Sequence, residues 1–86
     1  MSNSSGSYML NDILYICRDK GIFEVVGKEK TKDLIKAIMD LGNKHDCNDY
    51  EILHGIGEEI GICHYCLEYR EVIESGLCKE CAKELL

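Results

Sequence analysis

The chain has 86 residues, a formal net charge of −6 and a hydrophobic content of 45%. A chain of this length makes one domain, or one domain with a small module, and its composition excludes wholesale disorder. Acidic residues outnumber basic ones, so the chain has no broad positive surface. This argues against nucleic acid or anionic lipid as a partner. The longest apolar run, residues 13–17, is too short to span a membrane. The polar start does not resemble a signal peptide, so we expect a cytoplasmic protein.

Helical periodicity dominates the first half of the chain. Residues 1–7 are small and polar, which predicts a disordered leader. Residues 8–20 place apolar side chains at intervals of three and four, and predict an amphipathic helix that stops at Gly21. Residues 22–26 form a short run rich in β-branched residues between two glycines, which predicts a strand. Residues 28–41 predict a second amphipathic helix, closed by Gly42, with one apolar face made of Leu34, Ile35, Ile38, Met39 and Leu41.

A third helix is predicted after a polar connector at residues 43–47. Asn48 and Glu51 have the spacing of a capping box, and apolar residues continue at helical intervals to Ile60. Gly55 and Gly57 weaken this helix by about 1 kcal/mol each relative to alanine. The sequence therefore divides into a leader (residues 1–7), a mostly helical body (residues 8–60) and a cysteine-rich finger (residues 61–86).

The finger carries four of the six cysteines, as two Cys-x-x-Cys pairs with eleven residues between them: Cys63, Cys66, Cys78 and Cys81. A secreted disulfide scaffold would normally come with an export signal, and paired cysteines in a reducing compartment more often bind metal. Zinc prefers four such ligands in a tetrahedron. We therefore predict one structural Zn²⁺ per chain. A redox dithiol, disulfides formed on oxidation and an iron site remain alternatives, since the same four sulfurs also fit iron.

The residues between the two pairs predict the fold of the finger. Eleven residues suffice for a short hairpin with arms at residues 67–70 and 72–74, broken by Ser75 and Gly76. Good helix formers follow Cys81, so Cys78 and Cys81 are expected in the first turn of a helix, where the helix dipole favours thiolates. The predicted fold class is α+β: a small, mostly helical body with a C-terminal four-cysteine finger made of knuckle, hairpin and helix.

This finger resembles the short four-cysteine treble-clef or zinc-ribbon-like fingers of bacterial regulatory and adaptor proteins, such as the anti-sigma factor Gin. The ligand spacing and the helical residues Ala82, Lys83 and Glu84 carry the resemblance, which covers about a quarter of the chain. Leu67 stands where a glycine often follows the second cysteine of a knuckle. The resemblance implies a zinc-stabilised finger, and it points to a regulatory protein that inhibits or adapts another protein.

Other candidate residues have simpler interpretations. Cys17 lies on the apolar face of the first helix and is expected to be a buried reduced thiol. His45 and Cys47 could hold a second metal with a carboxylate, although an ordinary polar loop is the preferred interpretation. His64 lies inside the first cysteine pair and is an alternative ligand, but four cysteines already complete the site. His54 is expected at the surface.

The pattern of functional residues argues against an enzyme. The sequence contains no nucleophile triad, phosphate-binding loop or His-Glu-x-x-His motif, and four cysteine ligands leave no open position for a catalytic water.

The charge pattern argues against nucleic-acid binding. The basic cluster at Lys28, Lys30, Lys32 and Lys36 is interrupted by acidic residues, and a zinc–thiolate centre would lower the net charge to about −8.

We therefore expect a small regulatory or adaptor protein that binds another protein, for example a transcription factor. A nucleic-acid-binding zinc-finger transcription regulator is the alternative. Some of the surplus apolar side chains in the finger are expected to pack against the body, and the remainder could form the partner surface or a homodimer interface. They are Tyr65, Tyr69, Val72, Ile73, Leu85 and Leu86.

Overall fold

Two long helices form the larger part of the molecule, and the finger follows them. The computed structural model describes residues 3–74 and 76–85. Within these residues the chain forms α1, α2, two short helices, a two-stranded antiparallel sheet and a terminal helix. Their bounds are Ser4–Asp19 (α1), Ile22–Lys44 (α2), Asp49–Ile52 (α3), Ile56–Ile60 (α4), Val72–Glu74 (β1), Leu77–Cys78 (β2) and Lys79–Leu85 (α5).

Helix α1 begins at Ser4, earlier than the predicted start at residue 8. The Asn3 side chain caps it by accepting a hydrogen bond of 2.9 Å from the Gly6 N–H. The Ser7 side chain is fully buried, and its hydroxyl donates to the Asn3 carbonyl and accepts from the Asn48 N–H. Residues 4–7 of the predicted leader therefore form the first turn of α1. Residues 1 and 2 lie outside the described part of the chain.

The predicted strand at residues 22–26 is wrong, because this run forms the first turn of α2. Gly21 adopts a left-handed conformation, and its carbonyl accepts a hydrogen bond from the Val25 N–H. A β-branched run needs a neighbouring strand to realise its preference, and the described residues offer none beside it. Gly27, with φ 86° and ψ 172°, then breaks the helical geometry. The Thr31 hydroxyl donates to the Gly27 carbonyl at 2.7 Å and holds this kink.

The core of the body lies where α1, α2 and α3 meet. The sequence correctly predicts Ile35, Ile38 and Met39 as buried on α2, whereas Leu41 is about half exposed. Helix α2 passes the predicted stop at Gly42, which is buried inside the helix. A Cβ at Gly42 would lie 2.6 Å from Ile52 Cδ1, so the glycine allows α2 and α3 to approach closely. The buried core residues are Leu10, Leu14, Ile35, Ile38, Met39, Ile52, Leu53, Ile56 and Ile62.

The predicted third helix is divided into α3 and α4. The Asn48 side chain accepts a hydrogen bond of 3.1 Å from the Glu51 N–H, which confirms Asn48 as the N-cap. The division comes at Gly55, where φ is 75° and a Cβ would collide with the Tyr15 hydroxyl. The buried Asn11 amide donates to the carbonyls of Ile52 and His54. The Asn11 side chain thus holds α1 against the segment that joins α3 to α4, where the His54 carbonyl also accepts a hydrogen bond from the Ile56 N–H.

The hairpin of the finger differs from the predicted one. Strand β1 pairs with β2, across residues 75 and 76, instead of with residues 67–70. Tyr69 forms an isolated antiparallel bridge with Ile62, at the base of the first cysteine pair. The protein is therefore mostly helical with a small sheet in the finger, and the predicted α+β class describes it only loosely. None of the described helices combines the length and apolar character needed to cross a membrane.

Candidate metal centre

The structure brings together all four cysteines that the sequence predicts as ligands. The sulfurs of Cys63, Cys66, Cys78 and Cys81 all lie within 4.8 Å of one another. Cys66 Sγ and Cys78 Sγ are 3.9 Å apart. Cys63, Cys78 and Cys81 are buried, and Cys66 is partly exposed at the rim. The centre therefore lies inside the finger, with one ligand towards solvent.

The first pair lies on a turn that the backbone fixes. The Leu67 N–H donates to the Cys63 carbonyl at 2.9 Å, and the Cys63 N–H donates to the Glu68 carbonyl at 3.2 Å. Leu67 has a positive φ of 56°, the conformation for which a glycine is usual at this place. A leucine in this conformation costs about 1–2 kcal/mol. The turn therefore keeps the geometry of a glycine-containing knuckle without the glycine.

The second pair lies where β2 meets α5. Cys78 is the last residue of β2, and Cys81 lies in the first turn of α5. Leu77 and Ala82 are buried beside them. Together with Cys63, these four residues form a core of the finger that is separate from the core of the body. Three of the five are cysteines. Without a bound ion, this core has little apolar surface to hold it together.

The cysteine thiols of the centre differ in pKa because their surroundings differ. Burial alone would raise the pKa of Cys63, but the backbone N–H groups of Cys66, Cys78 and Tyr65 lower that pKa to about 6. Burial raises the pKa of Cys66, and burial together with the neighbouring thiols raises the pKa of Cys81. The raised pKa values of Cys66 and Cys81 oppose ionisation of the whole group, and a bound cation would favour the thiolate forms that a metal site needs.

The arrangement fits a tetrahedral metal ion. Zn–S bonds of about 2.3 Å give a tetrahedron with edges of about 3.8 Å, close to the separation between Cys66 and Cys78. Four thiolates suit zinc, and the same set suits iron. A metal ion with four protein ligands has no open coordination position. Such a site would stabilise the finger instead of activating a water molecule.

The finger is attached to the body by both apolar and polar contacts. Ile62, directly before Cys63, is fully buried in the body core, and Leu67 and Tyr69 pack against that core. The Tyr69 hydroxyl donates to the Lys28 carbonyl at 2.8 Å. Lys32 Nζ lies 2.6 Å from a carboxylate oxygen of Glu68. Folding of the finger around an ion therefore places side chains against α2.

The other candidate ligands lie apart from the centre. Among residues 3–74 and 76–85, no second group of three or more His, Cys, Asp or Glu side chains converges, so His45 and Cys47 form no such site. Cys47 packs against the body core, and Cys17 is half-buried instead of fully buried. The His64 ring packs edge-on against Tyr50, with a centroid distance of 5.6 Å.

A basic cluster spans the junction between α2 and the finger, and the sequence predicts only part of it. Lys32 and Lys36 lie one helical turn apart on α2, and both act on Glu68, as does Arg70. The hydrogen bond from Lys32, followed by these charges, lowers the pKa of Glu68. Arg70 was missed because it is distant from the lysines in sequence. Only the attachment of the finger brings it to them.

The surplus apolar side chains of the finger include both half-buried and exposed ones. Tyr69 and Val72 are half-buried, while Tyr65 and Leu85 are exposed. Leu86 and the side chain of Ile73 lie outside the described part of the structure. Among the described side chains of this set, Tyr65 and Leu85 are therefore the ones that the finger presents to solvent.

Comparison with known proteins gives this chain no relatives. No protein-family model, curated protein or solved structure matches it at the significance threshold. The functional interpretation therefore rests on the geometry of the four-cysteine centre and of the surfaces around it.

Proposed function

We propose that this protein is a small, non-enzymatic zinc protein that binds another protein and thereby regulates it or links it to a third. The observation that supports this most directly is the convergence of four cysteines into one centre with no open position for a substrate or water. A closed centre of this kind fixes shape. The function is then expected to lie on the surface that the ion holds in place.

The attachment of the finger supports a surface role. Ile62, Leu67 and Tyr69 tie the finger to the body, so that an ion in the finger also orders the junction with α2. Inhibition of a transcription factor, in the manner of the anti-sigma factors that the finger resembles, is the form of regulation we propose.

Two measurements on the full chain test this proposal. Elemental analysis of protein made without added metal should give about one equivalent of zinc. Affinity purification from the native host should recover a partner that binds the purified zinc protein directly and does not bind the Cys63→Ser variant. Cys17→Ser is the matched control, because Cys17 lies outside the centre and should leave both results unchanged. Iron in place of zinc, or a partner that binds Cys63→Ser equally well, would contradict the proposal.

Nucleic-acid binding is the second candidate, and the basic cluster of Lys32, Lys36 and Arg70 at the junction favours it. Phosphate-driven binding to duplex or single-stranded DNA or RNA would be present at low salt and fall by about one log unit per log unit of salt for each contact. Salt-sensitive binding that disappears when the four lysines noted in the sequence of the second helix become alanine would replace the protein-binding proposal. Those lysines are Lys28, Lys30, Lys32 and Lys36.

A further inference from the structure

A cleft in the finger opens onto the four-cysteine centre. It has a volume of about 250 Å³, and three of the four candidate ligands line it, namely Cys66, Cys78 and Cys81. The remaining lining residues are Tyr65, Arg70, Glu80 and Glu84. A water molecule occupies about 30 Å³ of the liquid, so a small solute can enter the cleft and reach the sulfurs.

Access to the four sulfurs is unequal. Cys66 is partly exposed, whereas Cys63, Cys78 and Cys81 are 0%, 2% and 8% exposed. Oxidation of a cysteine requires both thiolate character and access to the oxidant, and a metal ligand is a thiolate. Cys66 is therefore the first sulfur of a metal-loaded centre that an oxidant entering the cleft would meet, and Cys63 is the best protected.

A second thiol lies directly behind Cys66. Cys78 Sγ is 3.9 Å from Cys66 Sγ, and Cys78 belongs to the other cysteine pair, at the end of β2. A disulfide has a sulfur–sulfur bond of about 2.05 Å, so these two atoms need to approach by about 2 Å to form one. The pair at the cleft thus has the arrangement of an exposed thiol with a resolving thiol beside it.

We propose that the centre is a peroxide-sensitive switch, in which Cys66 is the site of oxidation and Cys78 completes a disulfide with it. This inference rests on the proposed function and specifies how that function is regulated. The metal-loaded and disulfide forms, which are alternative uses of the same cysteines in the sequence, become two states of one protein.

The reaction with hydrogen peroxide balances without a further reactant. The Cys66 thiolate attacks one peroxide oxygen, the O–O bond breaks, and hydroxide leaves with the electron pair of that bond. Cys66 is then a sulfenic acid. The Cys78 thiolate attacks the Cys66 sulfur, the S–O bond breaks, and a second hydroxide leaves. Two protons from solvent convert both hydroxides to water, so that two thiolates lose two electrons and the peroxide gains them.

The disulfide would remove the support of the finger. Only Cys63 and Cys81 remain as thiolate ligands, and the centre loses most of its affinity for the ion. Because three of the five buried residues of the finger core are these cysteines, the finger would unfold. The hydrogen bond from the Tyr69 hydroxyl to the Lys28 carbonyl, which attaches the finger to α2, would be lost with it. Oxidation would thereby abolish binding of the protein partner.

Titration of the zinc-loaded full chain with hydrogen peroxide tests the switch on the purified protein. A chromophoric chelator follows zinc release, and peptide mapping by mass spectrometry identifies the disulfide. We expect release of about one equivalent of zinc together with a Cys66–Cys78 disulfide. Dimedone, which traps sulfenic acids, should label Cys66 when it is present during the reaction. A dithiol reductant followed by zinc should restore the starting form.

Two histidine variants separate the oxidation site from the metal site. Cys66→His keeps a Cys₃His ligand set, which also suits structural zinc, but removes the accessible thiol. Its zinc release should be slower than that of the natural chain by about tenfold or more. Cys81→His is the matched control, because it has the same ligand set and retains Cys66 and Cys78. It should release zinc on oxidation like the natural chain, and so should Cys17→Ser/Cys47→Ser.

Several results would overturn the switch. They are retention of zinc in excess peroxide, a disulfide or dimedone label at other cysteines, and equally fast release from Cys66→His and Cys81→His. Mapping on the natural chain decides the matter even if a histidine variant fails to fold. A host partner that binds the zinc protein while the centre resists peroxide would leave the proposed function standing and refute the switch. Zinc release with the expected disulfide, but without any partner of the zinc protein, would refute the proposed function and leave the oxidation chemistry standing.

Discussion

The body and the finger obtain their stability in different ways. The core of the body buries nine aliphatic or thioether side chains, and eight of them lie in helices that the sequence pattern predicts. Leu14 and Ile35 are among those with no exposed surface. The finger has a buried core of five residues, and three of these are cysteines of the centre. Apolar burial of about 25 cal/mol per Å² stabilises the body. The finger buries too little apolar area to fold in this way. Its folding is therefore expected to be coupled to metal binding.

The largest expected effect comes from breaking the centre. Cys63→Ser should remove the metal and unfold the finger, since the binding free energy of a structural zinc ion, about 10–16 kcal/mol, is also folding free energy. Helices α1 and α2 should keep most of their helical structure, because their core does not include the ligands. Amide hydrogen exchange followed residue by residue, with elemental analysis, measures both results.

Cys17→Ser is the control, because it replaces a thiol outside the centre. Retention of the metal and of finger protection in Cys63→Ser would refute the comparison between the two regions. Collapse of the body together with the finger would refute it as well, since the body would then lack a fold of its own.

A second variant tests whether the stability of the body depends on a residue of the finger. Ile62 is numbered with the finger but is fully buried in the body core. Ile62→Ala should destabilise the metal-loaded protein by about 2–5 kcal/mol, as removal of a core aliphatic side chain does. Urea unfolding followed by circular dichroism measures the change in the helical transition.

The control for this variant is Ile16→Ala, at a position 57% exposed on α1, which should change stability by less than about 1 kcal/mol. If Ile62→Ala weakened metal binding but left the helical transition of the body where it was, Ile62 would belong to the finger alone.

A smaller effect is expected at Leu67, which packs against the body core while its backbone is in a left-handed conformation. Leu67→Ala loses the packing and keeps the unfavourable φ, whereas Leu67→Gly loses the packing and removes that strain. The glycine variant should therefore be about 1 kcal/mol more stable than the alanine variant. Thermal unfolding of the two metal-loaded variants side by side decides this. Equal stability, or a more stable alanine variant, would show that the turn carries no strain.

The smallest effect is expected at the ion pair between Lys32 and Glu68, which joins α2 to the finger at the surface. A double-mutant cycle with Lys32→Met and Glu68→Gln should give a favourable coupling that weakens as salt is added, because both side chains are partly exposed. Arg18→Met with Glu59→Gln is the matched cycle within the body, where the same kind of pair joins α1 to α4. A coupling that is independent of salt would contradict the surface interpretation.

Local pattern alone determined much of this protein. The spacing of Cys63, Cys66, Cys78 and Cys81 identified the group that converges in the structure, because a Cys-x-x-Cys turn needs only its own backbone to direct two sulfurs to one point. Asn48 was identifiable as an N-cap for the same reason, since its side chain bonds to a backbone N–H only three residues away. Periodicity likewise placed Ile35 and Met39 in the core.

Only the tertiary structure decided the rest. Residues 22–26 have strand composition, but a strand requires a partner, and no neighbouring segment of the described chain supplies one. Gly42 reads as a helix stop, yet it lies inside α2 because Ile52 approaches it from α3. Arg70 joins Lys32 and Lys36 only because the finger folds back onto α2. Strand pairing, close helix approach and charge clustering depend on contacts between residues distant in sequence, and no local pattern records those contacts.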